Sequence, residues 1–345
     1  MLHRKLTYFI AFMLFISCQK EDYYVEDVAI LQDQTFSKTD VRVQGHEHDG
    51  MVIDNCTFDA CELYISDVDC VIVQNCTFMN QKENGIRVAF GGEARYIIID
   101  NCTFKNIGSN GIDSHEDAPD CIIKNCYFES CAQSDIGSAM SQPHHCIYWK
   151  GSNVQILNNE FNAQGQNYGN AISHRSSGII AGNKVYGAPK YGIMYFADHP
   201  GGDTLYIENN FVYNCSNGIG ITTPNIPEYH NQNVIVRFNS VSNCQDNSLY
   251  FAKDFDGTTV FQIYGNIIVS EKGEYIKTFY EIPDSFNLKS TTDIGFIDAA
   301  NGNLHLDAGS QAIGYCSGLS FFPSIDIDGD IRVSTNLDAG ADERN

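Results

Sequence analysis

Apolar residues along most of this chain alternate with polar ones inside short runs, and the runs themselves return about every 20 to 30 residues. The phrase Asn55-Cys56-Thr57-Phe58 is repeated as Asn75-Cys76-Thr77-Phe78, Asn101-Cys102-Thr103-Phe104 and Asn125-Cys126-Tyr127-Phe128. It continues in altered form as Asn158-Asn159-Glu160-Phe161, Gly182-Asn183-Lys184-Val185, Asn209-Asn210-Phe211-Val212, Phe238-Asn239-Ser240-Val241 and Gly265-Asn266-Ile267-Ile268. Each phrase follows a β-rich run such as Ile97-Ile98-Ile99 or Val234-Ile235-Val236, and no 3.6-residue pattern appears that would make the repeat helical. Short strands and polar turns at such a period predict an all-β solenoid, a right-handed parallel β-helix of about nine or more coils over residues 46–300. Residues 18–45 are expected to be a linker and N-terminal cap, and residues 301–345 a C-terminal capping segment.

Stacked turns align equivalent residues into columns. The second position of the phrase gives Asn159, Asn183, Asn210, Asn239 and Asn266, whose side chains can hydrogen-bond to backbone up the stack. In the N-terminal half the same column is Cys56, Cys76, Cys102 and Cys126, read as buried small hydrophobes. Two places further on lies an apolar column that begins with Phe58, Phe78, Phe104, Phe128 and Phe161.

A third set of columns carries candidate chemistry. Asn110-Gly111-Ile112-Asp113-Ser114-His115, His145-Cys146-Ile147-Tyr148-Trp149-Lys150 and Asn170-Ala171-Ile172-Ser173-His174-Arg175 share one template. Alternation sends Ile112, Ile147 and Ile172 inward, with Trp149 and His174 also inward. It sends Asp113, Tyr148 and Ser173 outward, and His115, Lys150 and Arg175 outward beside them. Parallel strands stack about 4.8 Å apart, so three basic groups would line up against one ligand. Stacked cations repel one another, and an anionic ligand would relieve the repulsion.

Charge sharpens this reading. The chain has 21 Lys and Arg against 43 Asp and Glu, a balance that repels nucleic acid. The amino terminus supplies an address: Arg4 and Lys5 precede an apolar run too short to span a bilayer, so residues 1–17 read as a signal peptide. Phe15-Ile16-Ser17-Cys18 resembles a bacterial lipoprotein cleavage box, with Cys18 carrying the lipid, and Gln19-Lys20-Glu21-Asp22 resembles the tag that sends lipoproteins to the surface of Gram-negative cells. The expectation is an outer-membrane lipoprotein, exposed at the cell surface and monomeric. The closing stretch, Asp326-Ile327-Asp328-Gly329-Asp330 to Asp338-Ala339-Gly340-Ala341-Asp342-Glu343, resembles that of many secreted bacterial β-helix proteins.

Lys150-Gly151-Ser152-Asn153 followed by Ile172-Ser173-His174-Arg175 resembles the catalytic pair of the sixth polysaccharide lyase family, the alginate lyases and chondroitinases built on pectate-lyase-like β-helices. The resemblance covers roughly residues 100–245 and implies Lys150 as base and Arg175 as acid. It also implies calcium, but the strand that holds it in the family reads Pro143-His144-His145-Cys146 here, which leaves Asp113, Glu116 and Asp117 as the candidate ligands. Asp113-Ser114-His115-Glu116 resembles the Asp-Pro-His-Asp motif of alginate C5-epimerases, with Ser in place of Pro, and implies His115 as an alternative base. Both families take the weakly acidic C5 proton of a uronate, which requires a neutralised carboxylate and a nearby base. The site expected is therefore Lys150, Arg175, His115 and Tyr148 as catalytic groups, with His145, Asp113, Phe196 and Tyr195 binding an acidic polysaccharide. Glycoside hydrolysis needs two flanking carboxylates, and only Asp113 is offered. A non-catalytic glycan-binding or adhesive β-helix is the other alternative.

Overall fold

The computed structural model describes residues 22–25, 29–133, 144–199, 204–222, 233–252, 260–272, 275–278 and 284–344. The expected signal peptide and Cys18 lie outside them.

Three parallel sheets of eleven strands each run the length of a right-handed β-helix, and each coil contributes one strand to every sheet. The nine phrases each open one strand of the third sheet, from Thr57–Asp59 to Ile267–Val269. Two end rungs, Thr35–Ser37 and Leu288–Ser290, opened by weaker forms of the phrase at Asp33-Gln34 and Phe286-Asn287, complete the eleven. The first coil already occupies Tyr23–Tyr24, Ile30–Gln32 and Thr35–Ser37, so the solenoid begins inside the stretch expected to be linker and cap.

The phrase works as follows. Its first residue turns the chain in the left-handed region, with φ of 52° at Asn55, 51° at Asn101 and 69° at Gly182, where Asn and Gly carry little steric cost. Its second residue forms a ladder. Asn183 Oδ1 accepts from Asn159 N at 3.0 Å, and Asn183 Nδ2 donates to Ile156 O at 2.9 Å, so each amide closes the turn below it. The pattern continues through Asn210, Asn239 and Asn266 to Asn287. Cysteine takes the same place in the earlier rungs. Cys56 N donates to Cys76 Sγ and Cys102 N to Cys126 Sγ, both at 3.4 Å, and Cys126 N donates to Asn159 Oδ1 at 2.9 Å where the two ladders join. These thiols are free and buried; hydrogen bonding to Cys102 and burial push the Cys76 thiol up to about 12, which leaves it protonated and unreactive.

The fourth residue builds the core. Phe58, Phe78, Phe104, Phe128 and Phe161 are fully buried and stacked, with neighbouring centroids 4.6, 4.9, 4.7 and 4.7 Å apart. A second core lies outside the third sheet, where Phe211, Phe238 and Ile267 pack against Leu304, Leu306, Leu337 and Ala339. The C-terminal segment thus runs along the flank of the last coils. Arg332 clamps it there, bonded to Glu343 at 2.9 Å, Asn209 at 3.1 Å and Gly340 O at 2.8 Å.

Candidate functional site

The first sheet presents one face to the core and one outward. Ile112, Ile147 and Ile172 are aligned and fully buried, and so are Trp149 and His174, as alternation requires. The outward column runs Arg42, Tyr64, Arg87, Asp113, Tyr148, Ser173, Met194, Gly220 and Tyr250, each paired in register with the next. Lys150 and Arg175 leave the sheet just beyond Tyr148 and Ser173, and Phe196 follows in the next rung.

Tyr148 is the centre of this face. The Arg175 guanidinium lies 4.8 Å from its ring centroid, Lys150 Nζ lies 5.3 Å from it, and the His145 ring stacks on it at 5.5 Å. Arg175 is also held 4.7 Å from Phe196 and bonded through Nη1 to Asp198 Oδ2 at 3.0 Å. Asp198 in turn contacts His199 Nδ1 at 3.0 Å, and His199 Nε2 reaches Glu116 at 3.2 Å. Arg42 pairs with Asp22, and Arg87 with Glu62 and Glu83. Lys150 has no carboxylate partner among the described residues. Its backbone N–H donates to Ser114 Oγ at 2.9 Å, which fixes the turn from which the side chain leaves.

Two titrating groups are shaped by this surface. Burial raises Asp113 to about 6, against the opposing pull of Arg87, an Asn110 hydrogen bond and Lys150. Burial also raises Tyr148, which keeps its phenol protonated. The proposed metal ligands do not gather: Asp113 stands in the column between Arg87 and Tyr148, Glu116 binds His199, and Asp117 binds His115 Nδ1 at 3.1 Å. Among the described residues the metal-ligating trio that converges is His305, Asp328 and Asp342, in the C-terminal segment. His115 is half exposed, edge-on to Phe90 at 6.0 Å, and turned toward Asp117.

Two expected binding residues are buried. Tyr195 is fully buried and in register with His174, so it is a core residue that cannot stack on a sugar; alternation from Ile193 puts Met194 outward instead. His145 is 1 % exposed and belongs to a second ladder, at the entry to the first sheet. There Asn110 N donates to Asn84 Oδ1 at 3.1 Å, His145 N to Asn110 Oδ1 at 2.7 Å, Asn170 N to His145 Nδ1 at 3.0 Å, and Tyr191 N to Asn170 Oδ1 at 3.2 Å. Arg87 and this second ladder join the site without having been singled out, while Ser173 takes the outward position expected of it. Arg87 was within reach of the same template, since Gly85-Ile86-Arg87-Val88 repeats it one rung before Asp113.

A family model described as right handed beta helix region matches residues 22–138, about a third of the chain. No curated protein matches. Among solved structures, the crystal structure of pectate lyase Pel9A is 14 % identical, with 94 % of this chain and 86 % of that one covered at a TM-score of 0.49. A pectate lyase variant from Xanthomonas campestris is 14 % identical, with 76 % and 66 % covered at a TM-score of 0.31. The family model and the three parallel sheets agree on one architecture, the right-handed parallel β-helix.

Proposed function

We propose that the outward face around Tyr148 is the active site of an enzyme acting on an acidic polysaccharide, a lyase that cleaves by β-elimination. The observation that carries this reading is the state of Lys150. Of the four cations that follow one another along this face, Arg42, Arg87 and Arg175 are in salt bridges with carboxylates and Lys150, among the described residues, is not. An amine left without a counter-ion, beside a guanidinium and over a protonated phenol, is placed to take a proton from a bound anion.

In this mechanism Lys150 Nζ removes the C5 proton of a uronate. The C5–H electron pair becomes the C4–C5 double bond, the C4–O4 bond breaks, and O4 leaves with a proton. Tyr148 is the donor of that proton, because burial keeps its hydroxyl protonated. Arg175, held by Asp198 and two rings, neutralises the substrate carboxylate as charge builds up on it. Phe196 offers its other face to a sugar ring. The amino-terminal pattern supports tethering through Cys18 at the outer surface of the cell, where such a polymer would be met. A C5-epimerase is the second reading: it shares the first step and returns the proton to the opposite face of C5.

The test is ultraviolet absorbance of the unsaturated uronate over alginate, pectate and glycosaminoglycans, with and without calcium, for wild type and Lys150→Ala. Absorbance that rises on one polymer and is lost in the variant supports the lyase. Absence of any rise from folded wild-type protein removes it, and hydrogen exchange at C5 followed by NMR then decides on epimerisation.

A further inference from the structure

The ladder at the entry to the first sheet contains an anomaly. Its task in each rung is to accept the backbone N–H of the next, and Asn84, Asn110 and Asn170 do this with Oδ1. In the rung that carries Tyr148 and Lys150 the residue is His145, which accepts from Asn170 N through Nδ1. With Nδ1 accepting, the ring proton sits on Nε2. That N–H is buried and has no acceptor among the described residues. Asparagine performs the ladder's task in the flanking rungs, so the ladder does not call for a second ring nitrogen. Gly169, at φ +116°, lies directly beyond this ring; a Cβ there would meet His144 O at 1.8 Å, so the close backbone approach in this turn requires glycine.

The orphan donor has neighbours of its own kind. Ser173 is outward by register, beside Tyr148, yet 1 % exposed, and among the described residues its Oγ has no partner and the buried Arg175 Nε has no acceptor. His145 and Arg175 lie against the Tyr148 ring, and Ser173 is paired in register with Tyr148. Burial, with Arg175, Lys190 and His144 around it, holds the His145 ring well below the ordinary imidazole range and therefore neutral. A neutral Nε2–H remains a fixed donor and does not lose its role as pH varies. Buried donors without acceptors, next to a guanidinium, suit a group with two acceptor oxygens and a negative charge.

We propose that His145 Nε2–H and Ser173 Oγ–H, with Arg175 Nε–H, receive the carboxylate of an acidic sugar in a pocket beside Tyr148. The inference rests on the reading of this face as an acidic-polysaccharide site and names the group that reads the acid. It makes His145 a binding residue built into a structural ladder. The ladder then sets the position of the donor to within the tolerance of the sheet.

The experiment uses the full chain and trisaccharides of galacturonate, mannuronate and glucuronate, each paired with its carboxyl-reduced counterpart. Affinity is measured by calorimetry, and the His145 Nε2–H signal is followed in nitrogen-15 histidine spectra. His145→Asn keeps the ladder acceptor found in the flanking rungs and withdraws the outer donor, since an amide nitrogen does not reach as far as Nε2, and Ser173→Ala removes the second. The expected result is that one acidic trisaccharide binds better than its reduced form, that either substitution lowers that affinity about tenfold or more, and that the Nε2–H signal moves with the acidic sugar alone. Undiminished acidic-sugar affinity in folded His145→Asn overturns the pocket and leaves the polysaccharide reading standing. A wild type that does not distinguish acidic from reduced sugars overturns both. Should His145→Asn fail to fold, a stationary Nε2–H signal and unchanged affinity in Ser173→Ala overturn the pocket.

Discussion

Two columns run along the same solenoid and differ in one respect. The turn column that opens the third sheet repeats, as Cys56, Cys76, Cys102, Cys126 and then Asn159 to Asn287, with each side chain bonding the next rung. The outward column of the first sheet does not repeat: Arg87, Asp113, Tyr148, Ser173, Met194 and Gly220 follow one another with no shared chemistry. The backbone geometry is the same in both, so the coil itself does not impose the difference. Where a stack needs one interaction in every rung, one residue type serves all rungs; where it must present different groups to one ligand, every rung differs. Repetition marks what holds this molecule together, and its interruption marks where chemistry is placed.

The comparison breaks most sharply at Lys150. Lys150→Ala is expected to cost the proposed reaction about 10²- to 10⁴-fold in rate, the range for losing a positioned proton acceptor, while the thermal midpoint shifts little because among the described residues the side chain rests on the Tyr148 face with no salt bridge. Initial rates and a melting curve on the same preparation check both halves. A variant that keeps its rate removes Lys150 from the mechanism.

The opposite outcome is expected one column away. Phe104 is stacked between Phe78 and Phe128 at 4.9 and 4.7 Å, and Phe104→Ala should destabilise by about 3–5 kcal/mol. Urea titration measures the loss, and the folded fraction should turn over substrate at the wild-type rate. A smaller loss would mean that the coils relax to fill the gap.

The ladder gives a finer test. Asn183→Leu leaves Asn159 N–H and Ile156 C=O unpaired in the core, at about 1–3 kcal/mol for each orphaned group. Cys126→Asn should change stability by less than about 1 kcal/mol, since a new amide can donate to Ile99 O, which the thiol already approaches at 3.7 Å, and the Cys126 N–H keeps its bond to Asn159. If the two substitutions cost the same, the thiols and amides do not occupy equivalent places.

The repeating column was legible in the sequence because a period of two inside a strand and a fixed phrase at each turn leave a single register that buries every Phe and Ile. The same arithmetic placed Ile112, Ile147 and Ile172 in the core and Tyr148, Lys150 and Arg175 outside it. It also reaches Tyr195, two places after Ile193 and therefore inward, although that residue had been assigned to the binding face. Asp198 and His199 follow the last regular position of their rung, and their contacts with Arg175 and Glu116 depend on how the chain folds back across earlier coils, which no local pattern records. The role of His145 in the ladder was hidden because histidine there breaks the series of asparagines that would have revealed it.

A small, pH-dependent effect lies where the two kinds of column meet, at Asp113, which occupies a regular strand position between Arg87 and Tyr148. Burial holds its carboxyl at about 6 in the folded chain, above its ordinary 3.8. The folded state therefore binds this proton more tightly than the unfolded one, so the contribution of Asp113 to stability is greatest below about pH 4 and declines as the pH rises to about 6. With partial exposure allowed for, the decline is about 1–2 kcal/mol. Asp113→Asn cannot ionise, so it should remove that slope and stabilise the protein at neutral pH by the same amount. Urea midpoints at pH 4.5 and pH 7 for the two proteins make the comparison. A variant that is less stable than wild type at pH 7 would show that the ionised carboxylate between Arg87 and Lys150 is held by those cations more strongly than burial opposes it, and Asp113 would then belong with the structural columns.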